Sequence, residues 1–393
     1  MQTKRLAALV ATAATASLLL AACGGSTSTS SSASQPIAIG VPVPLSGPYA
    51  SAGQDIVNGA KLAAAKINKA GGVLGRKIEI VPADDQCDPQ VGAQAAQKLV
   101  SQNVVGIAGG YCSGASLPES TVFHSQGDLP FVMDASTNPQ LTEQGFNDIF
   151  RTIGRDDEQG PFAANFIANY LHAKKVVVMD DNTTYAAGLA ANTISALKSQ
   201  YGITADHEVI TAGQSDYSSV LTKIGQMHPD VLYYTGYFTE AGLLLKQARA
   251  QGLKFTMMGG DATNDPTVLS TAGAAANGFI ITTSPLAQFL GTASNYVSQY
   301  QAAYNKAPGP YSVYEYDAVS VLASAIKSAG STNAKKIDAA LHQVKDYKGL
   351  TGTFSFNKIG DRVPAAYITI IVKNGQFTAY QELNSSGQWV PVP

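Results

Sequence analysis

The feature that most constrains the fold of this chain is an alternation of strand and helix patterns that starts at Ile37. Short apolar runs typical of buried strands alternate with longer segments whose apolar residues recur at helical spacing. Alternation of this kind places the strands in a mostly parallel sheet that helices cover on both faces. The sequence therefore predicts an α/β fold.

The alternation occurs in two rounds. In the first, the predicted strands are 37–43, 77–81, 104–108 and 129–133, and the helices are 53–70, 89–102 and 116–125. In the second, the strands are 175–179, 207–210, 231–235, 255–258 and 278–282, and the helices are 160–171, 185–201, 217–227 and 240–251. Helices at 295–306, 311–329 and 333–345 come next, and then extended segments. Two similar halves with a helical return predict two lobes with a cleft between them.

Composition and charge exclude several classes of protein. The 393 residues are 45% apolar and 14% charged, which is enough apolar surface for a core and too little charge for a disordered chain. The 26 Lys and Arg residues are balanced by 28 Asp and Glu residues. Because this charge lacks the basic footprint of a nucleic-acid binder, nucleic acid is excluded as the main partner.

The N-terminus has the features of an export signal. Lys4 and Arg5 precede an apolar run at 6–20, whose 15 residues fall short of the roughly 20 that span a bilayer. The sequence Leu20-Ala21-Ala22-Cys23-Gly24 resembles a bacterial lipobox, in which the cysteine receives a diacylglyceryl group. We therefore predict a lipoprotein signal peptide at 1–22 and lipidation of Cys23. An ordinary secretory signal with an incidental cysteine is the alternative.

The segment after Cys23 predicts a tether. Residues 24–35 are almost entirely Ser, Thr, Gly and Ala, a composition that behaves as a flexible coil with a reach of roughly 20 Å. No later stretch has the length of a membrane-spanning helix. The predicted location is the extracytoplasmic face of a cell membrane, with the lipid anchor as the only membrane contact.

Cys87 and Cys112 remain once Cys23 is set aside. An even pair of cysteines in an exported protein favours a disulfide. The even number of cysteines does not by itself exclude the alternative, which is two unpaired buried thiols.

Polar side chains gather where the predicted strands end, which is where ligands bind in open α/β sheets. Hydroxyls follow the first-half strands, and tyrosines and a carboxylate follow those of the second half. They include Ser113, Ala135-Ser136-Thr137, Tyr185, Tyr237 and Asp261. Such groups suit a small molecule that carries a carboxylate, an ammonium and an apolar part. The alternative is that they are simply turn residues.

The sequence predicts a binding protein rather than an enzyme. It contains no phosphate-binding glycine loop, nucleophile elbow or HExxH motif. The histidines at 124, 172, 207, 228 and 342 lack metal-ligand spacing, and the two remaining cysteines are expected to pair. We therefore expect no catalytic residues, no metal and no cofactor.

A series of short strings between residues 40 and 253 carries a family resemblance. They include Leu45-Ser46-Gly47-Pro48, Gly71-Gly72-Val73-Leu74-Gly75-Arg76, Asp84-Asp85-Gln86-Cys87-Asp88-Pro89, Ala135-Ser136-Thr137-Asn138-Pro139, Arg151-Thr152, Asp157-Glu158-Gln159-Gly160-Pro161, Tyr185-Ala186-Ala187-Gly188 and Ala248-Arg249-Ala250-Gln251-Gly252. Together they resemble the branched-chain amino-acid binding proteins of ABC uptake systems. The resemblance implies a two-lobed type I periplasmic-binding-protein fold. The implied lobes are 36–155 with 286–362, and 156–285 with 363–393.

The resemblance also implies roles for individual residues. Ser113 and Thr137 would hold a ligand carboxylate, and the Ala135 carbonyl with Thr137 would accept from its ammonium, with Ser136 counted in the same set. Tyr185 and Tyr237 would cover the ligand, Asp261 would bind the ammonium, and Cys87 and Cys112 would form the family disulfide. The chain departs from the family in Ala52, where an aromatic residue is usual, in Gly114-Ala115, and in Asp261, which replaces a Glu.

The resulting hypothesis is a monomeric lipoprotein that captures an amino acid, with an aliphatic side chain, and delivers it to an ABC permease with its ATPase subunits. A binder of short amides, urea or another small polar solute is an alternative within the same fold. A receptor domain that reports its ligand to a signalling partner is an alternative of another class.

The lipidation hypothesis is tested by Cys23→Ser. Because the thiol receives the lipid, we expect the variant to lose the diacylglyceryl mass increment and either to stay uncleaved or to be released. Intact mass and membrane fractionation measure both effects. The same lipid mass and the same fractionation in the variant would contradict the hypothesis.

Overall fold

A computed structural model describes residues 35–392 of the chain. The strands are β1 (Ile37–Val43), β2 (Ile78–Asp84), β3 (Gly106–Gly109), β4 (Phe131–Met133), β5 (Ile149–Arg151), β6 (Val176–Asp180), β7 (Asp206–Val209), β8 (Val231–Tyr234), β9 (Thr256–Gly259), β10 (Ile280–Thr283), β11 (Tyr347–Gly349), β12 (Gly352–Phe356), β13 (Arg362–Val363), β14 (Ile368–Lys373), β15 (Gln376–Leu383) and β16 (Trp389–Pro391). The helices are α1 (Ala50–Lys69), α2 (Pro89–Ser101), α3 (Ser113–Ser125), α4 (Gln140–Glu143), α5 (Asp156–Asn165), α6 (Thr184–Tyr201), α7 (Ser218–Met227), α8 (Phe238–Ala250), α9 (Pro266–Ala272), α10 (Ser294–Tyr304), α11 (Ser312–Ala329) and α12 (Ala334–Leu341). The predicted signal peptide, Cys23 and nearly all of the predicted tether lie outside the described residues.

Two large sheets organise the described chain. The first is entirely parallel and has the order β2-β1-β3-β4-β5. The second has the order β16-β15-β14-β10-β9-β8-β6-β7, and its strands from β6 to β10 are parallel. The predicted α/β fold with mostly parallel sheets is confirmed.

The C-terminal part of the chain contributes to both sheets. Helix α11 packs on α1 and against β3 and β4, on the first sheet. Strands β14 to β16 then join the second sheet in antiparallel pairing beside β10. A small antiparallel sheet of β11, β12 and β13 lies between these two contributions in the sequence. The exact division of the lobes at 155/156, 285/286 and 362/363 stays a prediction.

Helix α1 shows how the apolar pattern positions an element. Ile56, Ala60 and Ala63 lie on its buried face, as their spacing predicts. Gly59 lets α1 approach α11 closely, because a Cβ at this position would lie 2.1 Å from the Ser312 carbonyl oxygen. The chain then turns at Gly71-Gly72, where both residues have positive φ. The predicted glycine stop of this helix is confirmed.

Some elements differ from the sequence prediction. Strand β5, the four-residue helix α4 and helix α9 were not predicted, since each is short. Helix α3 begins at Ser113, three residues before the predicted start, which places Ser113 in its first turn. Helix α5 begins at Asp156 rather than at 160 and continues as a π-helical segment over Phe166–Tyr170.

Cys87 and Cys112 form a disulfide, with their Cα atoms 5.3 Å apart. Cys87 precedes α2, and Cys112 is the residue immediately before α3. The bond therefore joins the starts of two neighbouring helices beside the end of β3. The predicted pairing is confirmed.

Buried carboxyl groups lie beneath the first sheet's carboxyl edge. Within the described residues, both carboxylate oxygens of Glu119, Asp134 and Glu315 are buried without a hydrogen-bond partner. Burial, followed by the charge of Asp85, raises the pKa of Glu119, and burial with the charge of Asp134 raises the pKa of Glu315. Burial also raises the pKa of Asp85 to about 7. These carboxyls favour their protonated form in the folded protein.

No helix in the described range 35–392 is both long enough and apolar enough to cross a membrane.

The disulfide predicts a measurable loss of stability when it is removed. On the chain-entropy account, closing a loop with a sequence separation of 25 stabilises the fold by about 3 kcal/mol. We expect Cys87→Ala/Cys112→Ala to lower the free energy of unfolding by about this amount in denaturant titrations. Reducing agent should lower the wild-type value similarly and leave the double variant unchanged. Two alkylatable thiols in the untreated, folded wild type would contradict the bond.

Candidate functional site

The predicted site residues lie at the carboxyl ends of strands from both sheets. Ser113 begins α3 after β3, and residues 135–137 follow β4. In the second sheet, Tyr185 lies in the first turn of α6, Tyr237 precedes α8, and Asp261 follows β9. All seven predicted ligand-binding residues are buried. Their roles in binding stay predictions.

Asp261 is held by two tyrosines. Its Oδ1 accepts a hydrogen bond from the Tyr185 hydroxyl at 2.7 Å, and its Oδ2 accepts one from the Tyr311 hydroxyl at 2.9 Å. Burial raises the pKa of the carboxyl, and these two hydrogen bonds oppose the rise. Both partners are neutral phenols, so they orient the carboxylate without neutralising it. The group is therefore suited to a cationic ligand atom.

A second carboxylate, Asp156, lies close to Asp261. It begins α5, it is fully buried, and neither of its carboxylate oxygens has a hydrogen-bond partner in the described chain. Burial, together with the negative charge of Asp261, raises the pKa of Asp156 to about 8. Its backbone N–H donates to the Thr137 carbonyl at 3.1 Å. Two carboxyl groups are thus buried near each other, which favours a positive charge between them.

Two hydroxyls of the first lobe are buried and unpaired within the described residues, those of Ser113 and Thr137. They are thus available to a ligand carboxylate. The Ser136 hydroxyl is instead 2.8 Å from the Ser116 hydroxyl. The role of Ser136 in ligand binding stays a prediction. The contact with Ser116 does not favour this role, because it already occupies the Ser136 hydroxyl.

Tyrosine rings form a wall around these polar groups. The Tyr237 ring centroid is 4.8 Å from that of Tyr49, 5.8 Å from that of Tyr111 and 5.3 Å from that of Tyr185. The Tyr111 ring also contacts Tyr311, with centroids 5.5 Å apart. Such rings supply apolar faces for a ligand side chain while their hydroxyls remain available for hydrogen bonds.

Sequence reasoning did not assign Tyr49, Tyr111, Asp156 or Tyr311 to the site. Tyr49 and Tyr111 follow β1 and β3, so their position after strands was a usable signal. Asp156 begins an acidic run, which is also typical of an ordinary helix start. Tyr311 comes from the helical return, where no strand end marks it.

A buried ion pair shapes the β4–α4 loop (residues 134–139). The fully buried Arg151 has its Nε 2.7 Å from Asp361 Oδ1. Its guanidinium also donates to the carbonyls of Ser136 and Asn138 at 3.2 and 3.3 Å. Because these carbonyls flank Thr137, the Arg151 guanidinium restrains the backbone on both sides of Thr137.

The two lobes are in contact, so the structure is a closed conformation. Asn138 Nδ2 donates to the Thr184 carbonyl at 2.9 Å, and Ser51 Oγ lies 3.3 Å from Asp265 Oδ2. Gly188 on α6 faces the same junction, since a Cβ there would lie 2.7 Å from Asn138 Nδ2. Closure encloses the carboxylates and hydroxyls described above and removes them from water.

Two lobes that meet over buried carboxyl groups, hydroxyls and tyrosine rings have the architecture of a solute-binding protein. Residues 36–376 match the family described as "Periplasmic binding protein". The chain belongs to this family, within the group that includes the Leu/Ile/Val-binding proteins.

Individual relatives agree with this assignment. The chain is 34% identical over 332 residues to Leu/Ile/Val-binding protein homolog 1 of Brucella suis, covering 84% of this chain and 89% of the relative. It is 31% identical to the leucine-, isoleucine-, valine-, threonine- and alanine-binding protein of Pseudomonas aeruginosa, covering 89% and 90% of the two chains.

A solved structure extends the likeness to the fold. The branched-chain amino acid transporter substrate-binding protein LivJ of Streptococcus pneumoniae, in complex with isoleucine, matches with a TM-score of 0.81 and 29% identity. The match covers 91% of this chain and 99% of that one. The predicted family and the type I periplasmic-binding-protein fold are confirmed, and so is the prediction of a binding protein rather than an enzyme.

Closure is tested by Gly188→Val. The added side chain would meet Asn138 across the junction, and overpacking of this kind costs about 1–3 kcal/mol. We expect ligand affinity to fall by about fivefold to 100-fold while the ligand-free unfolding midpoint barely changes. Calorimetry and thermal unfolding measure the two effects.

Ala187→Val is the matched control, because Ala187 is exposed on the same helix and the substitution is equally β-branched. It should bind ligand as wild type does. Wild-type affinity in Gly188→Val would mean that ligand binding does not use this closed contact.

Proposed function

We propose that this protein is the lipid-anchored, extracytoplasmic solute-binding component of an ABC importer, and that it captures an aliphatic amino acid. The single observation that carries the proposal is the pair of buried carboxylates, Asp156 and Asp261, with the two unpaired hydroxyls of Ser113 and Thr137 in the same closed cleft. The first pair suits an α-ammonium and the second suits an α-carboxylate.

The electrostatics of the closed cleft favour a zwitterion. A buried carboxylate without a compensating charge is costly, because the low-dielectric interior does not solvate it. A ligand ammonium beside Asp261 and Asp156 supplies that charge and favours their ionised forms. The hydroxyls of Ser113 and Thr137 then donate to the ligand carboxylate and gain the partners that they lack within the protein.

The aromatic wall supports an apolar ligand side chain. Tyr49, Tyr111 and Tyr237 meet ring to ring, and each is largely buried. An aliphatic group against these faces is removed from water, which favours binding by about 25 cal/mol per Å² of apolar surface. The isoleucine bound to the Streptococcus pneumoniae relative and the ligands named for the Pseudomonas aeruginosa relative support the same class.

A binder of short amides or urea is the alternative within this fold. A neutral solute would leave the buried Asp261 carboxylate without a counter-charge, which is unfavourable. A receptor domain, which would report the captured ligand to a signalling partner, is the alternative to a transport role. We favour delivery to a permease with its ATPase subunits, because the family relatives include a named transporter component.

Anchoring completes the proposal. The Leu20-Ala21-Ala22-Cys23 sequence and the Ser/Thr-rich stretch after it support a lipid-tethered body held close to the membrane surface, and we propose that this body is a monomer. The first of the described strands begins at Ile37, directly after this stretch.

The proposed zwitterion site is tested by truncating Asp261. Removing one partner of a buried, hydrogen-bonded charge pair typically costs about 2–5 kcal/mol. We therefore expect Asp261→Ala to weaken amino-acid binding by about 30-fold to several thousand-fold. Asp261→Asn retains the size and some hydrogen bonding, so its affinity should fall between those of wild type and Asp261→Ala.

Calorimetry with leucine, isoleucine and valine, beside urea and acetamide, measures these affinities, and circular dichroism confirms that each variant is folded. Asp230→Asn is a matched control, because Asp230 immediately precedes β8 at the other end of the strands and accepts hydrogen bonds from the backbone N–H groups of Lys174 and Lys175. Unchanged amino-acid binding by folded Asp261→Ala would contradict the zwitterion site. Tight binding of urea or acetamide by wild type would favour the short-amide alternative.

A further inference from the structure

A cluster of imidazole and carboxylate groups lies on the first lobe, away from the cleft. His124 is near the end of α3, Asp128 precedes β4, and Asp148 immediately precedes β5. These positions lie at the amino ends of the strands, whereas the cleft residues lie at the carboxyl ends. The cluster therefore occupies the opposite edge of the first sheet and has no part in the proposed amino-acid site.

The three side chains converge on one point. His124 Nδ1 is 3.1 Å from both carboxylate oxygens of Asp148 and 3.4 Å from Asp128 Oδ1. One ligand atom from each residue lies within 4.8 Å of the other two. A ring nitrogen carries at most one hydrogen, so it cannot serve three carboxylate oxygens as a donor. A protonated imidazole supplies one positive charge for two carboxylates, and the other cation in contact with them within the described chain is Lys335, 3.3 Å from Asp128.

The surrounding contacts hold these groups in place. The His124 ring stacks on Phe146, with centroids 4.0 Å apart and planes 16° apart. Asp128 directs Oδ1 toward His124 while its Oδ2 lies 3.3 Å from Lys335 Nζ. Asp148 is fully buried. Outer contacts of this kind orient the ligands of metal sites.

A fourth carboxylate gives independent support. Asp338 is only 8% exposed, and its Oδ1 has no hydrogen-bond partner among the described residues. The nearest imidazole, that of His342, is 3.7 Å away and has its Nε2 2.7 Å from the Asn147 carbonyl instead. Burial, and then the charges of Asp148 and Asp128, raise the pKa of Asp338 despite His342. A buried carboxylate oxygen without a donor thus lies close enough to Asp148 and Asp128 to be affected by their charges.

We propose that His124, Asp128 and Asp148 bind a divalent transition-metal ion, with Asp338 beside it as a further or water-mediated ligand. Tetrahedral zinc with bonds of about 2.0–2.2 Å needs ligand atoms about 3.3 Å apart, which the nitrogen–oxygen distances of 3.1 and 3.4 Å match. The two negative charges of Asp128 and Asp148 would also balance the charge of a bound dication.

Zinc is the best-fitting ion. Imidazole nitrogens bind zinc, copper and nickel more readily than magnesium and calcium. Sites that combine imidazole and carboxylate ligands are typical of zinc. His124 and Asp128 lie four residues apart, but Asp148 follows 24 residues after His124, so sequence spacing did not predict the site. The bound ion would tie the end of α3 to the starts of β4 and β5.

The test is zinc binding by the full chain as purified from cells, after chelator treatment and dialysis. Calorimetry with zinc chloride should give one saturable site per chain, and zinc should raise the unfolding midpoint because it binds the folded state. We expect His124→Gln and Asp148→Asn each to weaken zinc binding by at least about tenfold and to abolish the midpoint shift. Leucine binding should not change in either variant.

His228→Gln is the matched control, since His228 is in the second lobe and lies outside this cluster. It should bind zinc as wild type does. Cobalt chloride titrated into the wild type should give the visible absorption of tetrahedral cobalt, which tests the site even where a variant unfolds. Absence of saturable zinc binding by wild type, or undiminished binding in folded His124→Gln, would overturn the proposal.

Discussion

The buried ion pair between Arg151 and Asp361 is the interaction on which the geometry of the cleft depends. A guanidinium removed from water loses several kcal/mol of hydration, so it persists only where acceptors surround it. Asp361 supplies the charge, and the Thr142 hydroxyl and the carbonyls of the β4–α4 loop supply the remaining acceptors. One side chain thus joins β5, the loop that carries Thr137 and the hairpin that precedes β13. Arg155 pairs with the same carboxylate at 2.8 Å and extends the network to the start of α5.

The position of Asp156 depends on this network. Arg155 is fixed by Asp361 and Asp157, and the next residue, Asp156, is thereby turned toward the cleft with its N–H on the Thr137 carbonyl. The first lobe alone offers hydroxyls, and the second alone offers Asp261 with Tyr185. Only the closed arrangement brings both sets against one space, so ligand capture and lobe closure are the same event in energetic terms.

The sequence pattern predicted that several residues of the cleft lie close together, because they follow strands of parallel sheets. Ser113, Tyr185, Tyr237 and Asp261 follow strands, and parallel strands end at a common edge, so their proximity is a consequence of the alternation itself. Tyr311 is brought to Asp261 by the packing of α11 on α1, which no local pattern encodes. Likewise, Asp148 reaches His124 only because β5 lies beside β4. Contacts set by tertiary packing were therefore the ones that the sequence alone did not supply.

The buried carboxyls of the first lobe link folding to the proton balance of the surroundings. In an unfolded chain, Asp and Glu ionise near pH 4. Burial raises the pKa values of Glu119, Asp134 and Glu315 well above this, so the folded chain retains protons that the unfolded chain releases. Folding at neutral pH accordingly takes up protons. The contribution of these groups to the free energy of unfolding is fully present below about pH 4. It decreases as the pH rises toward their pKa values in the folded protein. An acidic exterior would therefore stabilise the native state, because these carboxyl groups would stay protonated. An alkaline exterior would ionise the same groups and destabilise the fold.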